Sequence, residues 1–294
     1  MARFSGKVAL VTGSSSGIGR ATAILLAKQG CKVTITGRNT DRLERTKQEI
    51  LKNGTPESDV LVIAADLNVE SEQDNLIDST VAKFGRLDIL VNSAGGAFVD
   101  PEGKIGVNQG MEVFDKHMYT NLRTIVMLTK KAIPHLMKTK GEVVNVSAMG
   151  ADHHGNPHFI YHSMPKAALN QFTRSAAIEL IRHGVRVNSV SPGFTNTGFG
   201  TSMGIPDEIW RKVSFEISFS KNISISQMVE FMSSHKECIP YGAVAQPDHI
   251  AQVIAFLADR TMSSFIIGQS IVVDGGSSLL MGMDVHDVTG FMAL

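Results

Sequence analysis

The sequence contains few of the residues that mark secreted, membrane-spanning or nucleic-acid-binding proteins. Its 294 residues include only two cysteines, Cys31 and Cys238, too few for a disulfide framework. Basic and acidic side chains both number 28, so no charge excess favours nucleic acid or anionic lipid as a partner. No apolar run reaches the ~18 residues of a membrane span, and no signal-peptide layout opens the chain. We therefore expect a cytoplasmic protein without a membrane or nucleic-acid partner.

Short apolar runs alternate with amphipathic stretches along most of the chain. The runs predict seven strands at Val8–Val11, Lys32–Thr36, Val60–Ala64, Leu87–Val91, Glu142–Val146, Val185–Val190 and Ser270–Val273. Helical periodicity marks the stretches Asp41–Lys52, Glu72–Phe84, Glu112–Lys138, Lys166–Arg182 and Pro247–Leu257. This alternation predicts an α/β fold of the Rossmann type, with a doubly wound parallel sheet, helices on both faces and residues 1–294 in one domain.

Three glycines follow the first predicted strand, and a helical pattern follows them. Gly13, Gly17 and Gly19 have the spacing Gly-x3-Gly-x-Gly. Glycine lets the backbone approach a ligand closely, and the free N–H groups of a helix N-terminus favour an anion. A strand, a glycine loop and a helix in this order predict a cradle for the pyrophosphate of a dinucleotide.

Further motifs follow the later strands. They are Asp66-Leu67, Asn92-Ser93-Ala94-Gly95, Asn121 in a long helix, Ser191-Pro192-Gly193 with Thr195 and Thr197, and Val272-Val273-Asp274-Gly275-Gly276. Taken in order, the motifs resemble the short-chain dehydrogenase/reductase family over nearly the whole chain. The resemblance implies cofactor contacts from Gly13, Ser15, Ser16, Gly17, Ile18, Gly19, Asp66, Leu67, Asn92, Ala94, Gly95, Lys166, Pro192, Gly193, Thr195 and Thr197. It also implies a homodimer or homotetramer formed through the helices that carry Asn121 and Lys166.

The end of the second strand bears on which dinucleotide binds. An NAD enzyme usually has a carboxylate there, bonded to the ribose 2′-hydroxyl. This chain reads Thr36-Gly37-Arg38 instead. Because a guanidinium can fork onto a 2′-phosphate, Arg38 favours NADP over NAD.

The catalytic pattern of the family fits this chain imperfectly. The resemblance implies a tyrosine as acid/base, a lysine four residues later, a serine that holds the substrate oxygen, and Asn121 beside the proton relay. Lys166 matches the lysine, but Tyr161 precedes it by five residues and His162 by four. Five residues turn a regular helix about 140° past a full circle, so Tyr161 and Lys166 would lie on different faces. If His162 is aligned with the family's tyrosine, the family's serine aligns with Ala148, and Ser147 precedes it by one residue.

Two interpretations of this mismatch are possible. In the strict one, Ala148 and His162 replace the serine and the tyrosine, and carbonyl reduction is weakened. In the loose one, the helix begins near Pro165, because proline suits a first helical turn, and Tyr161 and Ser147 swing into place from the preceding loop. The alternatives for function are an NADP(H)-dependent oxidoreductase of a carbonyl or secondary alcohol, and a catalytically impaired NADP-binding protein that senses or binds a partner.

The span 198–240 is longer than an ordinary connection, and its apolar residues predict either a lid over a lipophilic substrate or a segment that packs onto the body of the protein. Within it, Val213–Gln227 has five serines and no glycine, proline or alanine, and we raise the hypothesis of a retained intron, which transcript sequencing would test.

His153, His154, His158 and His162 also cluster, but Gly155 and Pro157 interrupt a helix there. We expect a polar loop at the substrate mouth and no metal site.

Overall fold

The computed structural model describes residues 2–151, 155, 157, 159–197, 230 and 232–280. They contain a seven-stranded sheet with the order β3-β2-β1-β4-β5-β6-β7, in which every neighbouring pair is parallel. The strands are β1 (Val8–Val11), β2 (Lys32–Gly37), β3 (Val60–Ala64), β4 (Ile89–Asn92), β5 (Glu142–Val146), β6 (Arg186–Pro192) and β7 (Ser270–Val273). The predicted doubly wound α/β fold is confirmed.

The main helices alternate with the strands along the chain. They are α1 (Gly17–Lys28), α2 (Thr40–Lys52), α3 (Glu70–Phe84), α4 (Met111–Met118), α5 (Thr124–Thr139), α6 (Ile160–Leu180), α7 (Pro247–Ala258) and the short α8 (Arg260–Ser263). Predicted and observed boundaries mostly agree to within one or two residues, which is the usual uncertainty of a helix or strand end.

The core forms two apolar layers, one on each face of the sheet. Because successive strand residues point to opposite faces, Ala9 and Val11 of β1 pack into one layer and Leu10 into the other. The first layer includes residues of α1, α2 and α7, and the second includes residues of α3, α5 and α6. Strands covered on both faces explain the nearly continuous apolar runs of the sequence.

Two predicted helices differ from the structure. The stretch predicted as one helix, Glu112–Lys138, is α4 and α5 joined by a π-helical turn at Tyr119–Arg123. Such a turn inserts a residue into the helical ladder, and periodicity alone does not reveal it. The helix expected from Lys166 begins at Ile160.

The strand order reverses between β1 and β4, and doubly wound sheets bind ligands at such a switch point. Buried hydroxyls fix the loops at this point. The Thr12 hydroxyl accepts hydrogen bonds from the backbone N–H groups of Ser93 (3.0 Å) and Ala94 (2.9 Å), which joins the loops after β1 and β4. The Ser14 hydroxyl accepts from the N–H of Thr36 at 2.7 Å and so joins the first loop to β2.

Several predictions concern residues outside the described part of the chain. They include most of the expected lid, the segment Val213–Gln227 and three of the clustered histidines. The lid and the single domain stay predictions. Among the described helices, none has the length and apolar character needed to cross a bilayer.

Candidate active site

A cavity of about 1030 Å³ lies along the loops that follow the carboxyl ends of the strands. Most of the predicted site residues line it: Gly13, Ser15, Ser16, Gly17, Ile18, Gly19, Arg38, Asp66, Leu67, Ala94, Gly95, Asn121, Ser147, His162, Lys166, Pro192, Gly193, Thr195 and Thr197. Asn92 and Tyr161 are the two predicted residues that the structure does not bring to the cavity.

The glycine loop between β1 and α1 has a backbone path that larger residues would block. Gly13 has φ +66°, and a Cβ there would lie 2.9 Å from Cα of Ala94. At Gly19 a Cβ would lie 2.5 Å from the carbonyl oxygen of Gly13. The loop can therefore fold back against the helix and the loop after β4 only if these positions lack side chains.

The N-terminus of α1 faces this cavity with its backbone donors available. Its N-cap residue Ser16 makes no side-chain capping bond, and the first turn contains no acidic residue. By contrast, the side chain of Asn39 caps α2 by accepting from the N–H of Arg42 at 2.8 Å. An uncapped first turn beside a glycine loop suits an anionic group, so these residues fit the phosphates of a dinucleotide.

Two arginines mark the end of the cavity next to β2. Arg38 follows the strand, Arg42 lies in the first turn of α2, and both are exposed and line the cavity together with Asn39. Neither guanidinium takes part in an ion pair with another described residue. The pair presents positive charge to whatever occupies this end of the cavity.

Asp66 and Leu67 follow β3 on the adjoining wall of the cavity. The carboxylate of Asp66 accepts from the backbone N–H of Asn68 at 3.0 Å, and the N–H of Asp66 itself donates to Glu72 at 2.6 Å. These bonds hold the loop after β3 in a fixed shape beside the arginines.

Asn121 lies in the π-helical turn and is fully buried. Its amide donates to the carbonyl of Gly96 at 2.8 Å and to that of His117 at 3.2 Å, while its side-chain oxygen accepts from the N–H of Gly96 at 3.0 Å. The turn thus directs Asn121 at the loop after β4, as π-helical turns often do at functional sites.

Asn92 has a different place from the one predicted. Its side chain is 1% exposed and donates to Thr129 at 3.0 Å and to Asn145 at 2.8 Å. Asn145 in turn donates to Thr173 at 2.9 Å, so a buried polar chain joins β4 and β5 to α5 and α6. Asn92 supports the sheet beneath the cavity through these two donated bonds, while its buried side-chain oxygen has no hydrogen-bond partner among the described residues.

Lys166 is buried on α6 at the other end of the cavity from the arginines. Its ammonium donates to the carbonyl of Val146 at 2.8 Å, and Ser147 donates through its hydroxyl to the carbonyl of Lys166 at 3.2 Å. Burial lowers the pKa of Lys166 to about 8. The end of β5 and helix α6 are thereby fixed to each other.

The start of helix α6 bears on the two candidate partners of Lys166, Tyr161 and His162. Its first bonds run from the N–H groups of His162 and Ser163 to the carbonyl of Phe159, well before Pro165. The loose interpretation, with Tyr161 in a loop before a helix starting near Pro165, is therefore wrong. Pro165 is the sixth residue of α6 and, because it lacks an N–H, leaves the carbonyl of Tyr161 without its helical donor.

Tyr161 and His162 point in different directions from this helix. Residues four apart share a helical face, and His162 lines the cavity with Lys166. The Tyr161 ring packs edge-on against Phe114 with centroids 5.5 Å apart, and its hydroxyl donates to the carbonyl of Gln109 at 3.3 Å. Ser147 and Ala148 both line the cavity at the end of β5.

The electrostatic surroundings of His162 disfavour its charged form. Burial, together with the nearby positive charge of Lys166 and the ring of His117, lowers the pKa of His162 to about 3. A hydrogen bond to the backbone of Gly96 acts in the opposite direction and raises this pKa, but by less. At neutral pH the imidazole is neutral.

Family models match most of the chain. The model described as short chain dehydrogenase matches residues 7–206, and the one described as Enoyl-(Acyl carrier protein) reductase matches residues 216–278. The chain belongs to the short-chain dehydrogenase/reductase family. The resemblance noted in the sequence is thereby confirmed.

Similar members of this family are known from several organisms. A solved short-chain dehydrogenase/reductase of unknown function from Caenorhabditis elegans, with cofactor, is 50% identical, has a TM-score of 0.89 and pairs 97% of this chain with 100% of that one. The apo-form of a glucose dehydrogenase from the same organism is 47% identical, with a TM-score of 0.77 and coverage of 95% and 100%. A 3-oxoacyl-[acyl-carrier-protein] reductase from Synechocystis sp. is 31% identical over 94% of this chain and 98% of its own length.

Some cavity residues of this short-chain dehydrogenase/reductase were not among the predicted ones. Arg42, Phe98 and Ser163 line the cavity, and His117 packs behind it. Arg42 had a signal in the sequence, since Asn39 is a good N-cap and places Arg42 in a first helical turn beside Arg38. Phe98 and His117 had none, because their meeting depends on how the loop after β4 folds against α4.

Proposed function

We propose that the chain is an NADP(H)-dependent oxidoreductase that transfers a hydride between the nicotinamide and a carbonyl compound or secondary alcohol. The observation that carries the cofactor assignment is the pair Arg38 and Arg42 at the β2 end of the cavity, free of ion pairs with other described residues. Two guanidiniums suit a 2′-phosphate, which is a dianion, better than a neutral 2′-hydroxyl.

The remaining cofactor contacts follow from the cavity lining. The glycine loop and the first turn of α1 would hold the pyrophosphate, Asp66 and Leu67 would contact the adenine, and the loop with Pro192, Gly193, Thr195 and Thr197 would contact the nicotinamide. When bound, the cofactor supplies the hydride. The chain must supply the proton, the orientation of the substrate and a surface that limits access of water.

Titration with NADPH and NADH tests the cofactor. We expect NADPH to bind at least about tenfold more tightly, and the double variant Arg38→Gln/Arg42→Gln to abolish that preference. Arg45→Gln is the matched control, because Arg45 is an exposed arginine of α2 that does not line the cavity. Equal affinity of the wild type for both nucleotides would contradict the assignment.

For catalysis we propose that Lys166 binds the nicotinamide ribose, Asn121 orders the proton relay and Ser147 holds the substrate oxygen. Of the two acid/base candidates, the geometry favours His162 over Tyr161, because His162 shares the cavity wall with Lys166. Proton transfer requires a group within hydrogen-bonding reach of the substrate oxygen, and the Tyr161 hydroxyl donates to Gln109 instead.

The second candidate function is NADP(H) binding without carbonyl turnover, in a sensor or partner-binding role. Two observations favour it: Ala148 offers no hydroxyl, and the pKa of His162 lies at about 3. An imidazole with that pKa is protonated in only about one molecule in 10⁴ at pH 7, so it is a poor acid for carbonyl reduction.

An assay of NADPH oxidation against a panel of lipophilic ketones and aldehydes discriminates between the two functions, with Lys166→Ala as the inactive control. Turnover that survives Tyr161→Phe and is lost in His162→Ala supports the enzyme with His162 as the reacting group. Saturable NADPH binding without turnover on any carbonyl supports the second function.

We also propose a homodimer or homotetramer that assembles through the helical segment α4–α5, which carries Asn121, and through α6, which carries Lys166. Both helices carry large exposed apolar side chains, with Met111 60% exposed on α4 and Ile178 65% exposed on α6. Sedimentation equilibrium should report a mass of two or four chains, and Ile178→Glu should shift the protein towards monomer. A monomeric wild type at micromolar concentration would contradict this assembly.

A further inference from the structure

His117 lies on α4, one turn before Asn121, and is 2% exposed. It does not line the cavity, but its ring meets two residues that do. The ring centroids of His117 and Phe98 lie 5.0 Å apart, and those of His117 and His162 lie 5.9 Å apart, both in edge-to-face geometry. His117 therefore joins the loop after β4 to helix α6.

The hydrogen bonds of His117 fix its tautomer. The backbone N–H of Phe98 donates to Nε2 at 3.1 Å, and since a backbone N–H can only donate, Nε2 must carry no proton. The ring proton is then on Nδ1, which donates to the carbonyl of Val113 at 2.9 Å. With both nitrogens engaged by the backbone, His117 has no ring atom left to exchange a proton with a ligand.

The loop after β4 is held by three side chains at its turn over the cavity. Asn121 bonds both the N–H and the carbonyl of Gly96, and His162 also hydrogen-bonds to the backbone of Gly96. His117 holds the next point along the loop, the N–H of Phe98. The carbonyl of His117 additionally accepts from Asn121 at 3.2 Å, so these groups form one connected network.

We propose that His117 is a positioning residue. Its neutral Nδ1–H tautomer holds the loop at 96–98 and the ring of His162 in the geometry that the catalytic end of the cavity requires. We call the part of the cavity lined by Asn121, Ser147, His162 and Lys166 its catalytic end. This role rests on the proposed function, because that function gives the loop and His162 their task. His117 acts through its neighbours and touches neither the substrate nor the cofactor.

Protonation of His117 at low pH should break its hydrogen bond with the N–H of Phe98. Burial lowers the pKa of His117, the charge of Lys116 lowers it further, and the bond to Val113 acts in the opposite direction. The other titratable ring facing it is His162 of α6, behind which lies Lys166. A proton on Nε2 would oppose the N–H of Phe98 with a second donor, so the contact persists at neutral pH and is lost as the pH falls through the lowered pKa of His117.

Imidazole ¹⁵N NMR of the full chain, with two variants, tests the proposal. His117→Gln keeps an acceptor near the position of Nε2, whereas His117→Phe keeps a ring but leaves the buried N–H of Phe98 unpaired. We expect the His117 signal, identified by its loss in both variants, to show the Nδ1–H tautomer and to titrate below 6.5. His117→Phe should displace the His162 signal and weaken NADPH binding about five- to tenfold, and His117→Gln should weaken it less than about twofold.

Several results would overturn the proposal: an Nε2–H tautomer, titration at or above 6.5, or a His117→Phe variant with the His162 signal and NADPH affinity of the wild type. If the wild type binds no NADPH at all, the proposed function fails, while the tautomer and the His162 signal still decide the role of His117. If His117→Phe does not fold, the tautomer in the wild type and the affinity of His117→Gln decide it.

Discussion

The two ends of the cavity follow the family pattern to different degrees. At the dinucleotide end, Gly13, Gly19 and the uncapped first turn of α1 all have the expected geometry. At the catalytic end, the cavity is lined by Ala148 and His162, the residues that the strict interpretation aligns with the family's serine and tyrosine, and by Ser147 next to Ala148. The difference shows that binding through backbone groups depends on conformation, whereas proton transfer depends on one side-chain atom and its pKa.

The largest expected effect comes from introducing the family's serine and tyrosine at the catalytic end, so that this end also follows the family pattern. The double variant Ala148→Ser/His162→Tyr would place a serine hydroxyl and a phenol on the cavity wall, with the phenol four residues before Lys166. We expect NADPH-dependent reduction of ketones to rise by about 10²-fold or more, the usual contribution of a positioned general acid. Steady-state kinetics on the carbonyl panel measures the gain.

Two single variants accompany this experiment. His162→Tyr alone should give part of the gain, and Tyr161→Phe should leave both wild-type and double-variant rates nearly unchanged, because Tyr161 faces Phe114 and Gln109. A double variant that binds NADPH normally and shows no gain would contradict our placing of the reacting group at His162.

The next largest effect comes from damaging the dinucleotide end. Gly13→Ala would force an L-residue to φ +66° and place its Cβ 2.9 Å from Cα of Ala94, so we expect NADPH binding to weaken roughly 30-fold. Gly54→Ala is the matched control, because Gly54 has φ +88° with open space around it. Fluorescence titration of both variants separates backbone strain from the loss of the cradle. Equal affinities would contradict the role of the loop.

The smallest effect concerns pH and the buried Lys166. Its pKa is about 8 in the folded chain against 10.5 ordinarily, so between these values the unfolded state binds more protons and the free energy of unfolding rises with pH. We expect wild type to gain roughly 1–3 kcal/mol relative to Lys166→Met between pH 7.5 and pH 10. Urea unfolding of both proteins at the two pH values measures it. If the free energies of unfolding of the two proteins changed in parallel with pH, burial would not shift the pKa of Lys166.

The strands and most helices were predictable because burial on both faces of a parallel sheet produces apolar runs of a typical length. The glycine loop and Arg38 were predictable for a similar reason, since each lies directly beyond a strand that periodicity identifies. The π-helical turn at Asn121 was not, because one inserted residue changes the direction of side chains without changing which residues are apolar.

By itself, the sequence determined the sheet, the dinucleotide cradle and the mismatch between Lys166 and its usual partners, because these depend on local backbone preferences and on counting along the chain. Tertiary structure alone decided that Tyr161 faces away, that Asn92 is buried beneath the cavity and that His117 meets both Phe98 and His162. Those outcomes depend on where a helix begins and on contacts between residues distant in sequence. No local pattern encodes the packing that sets them.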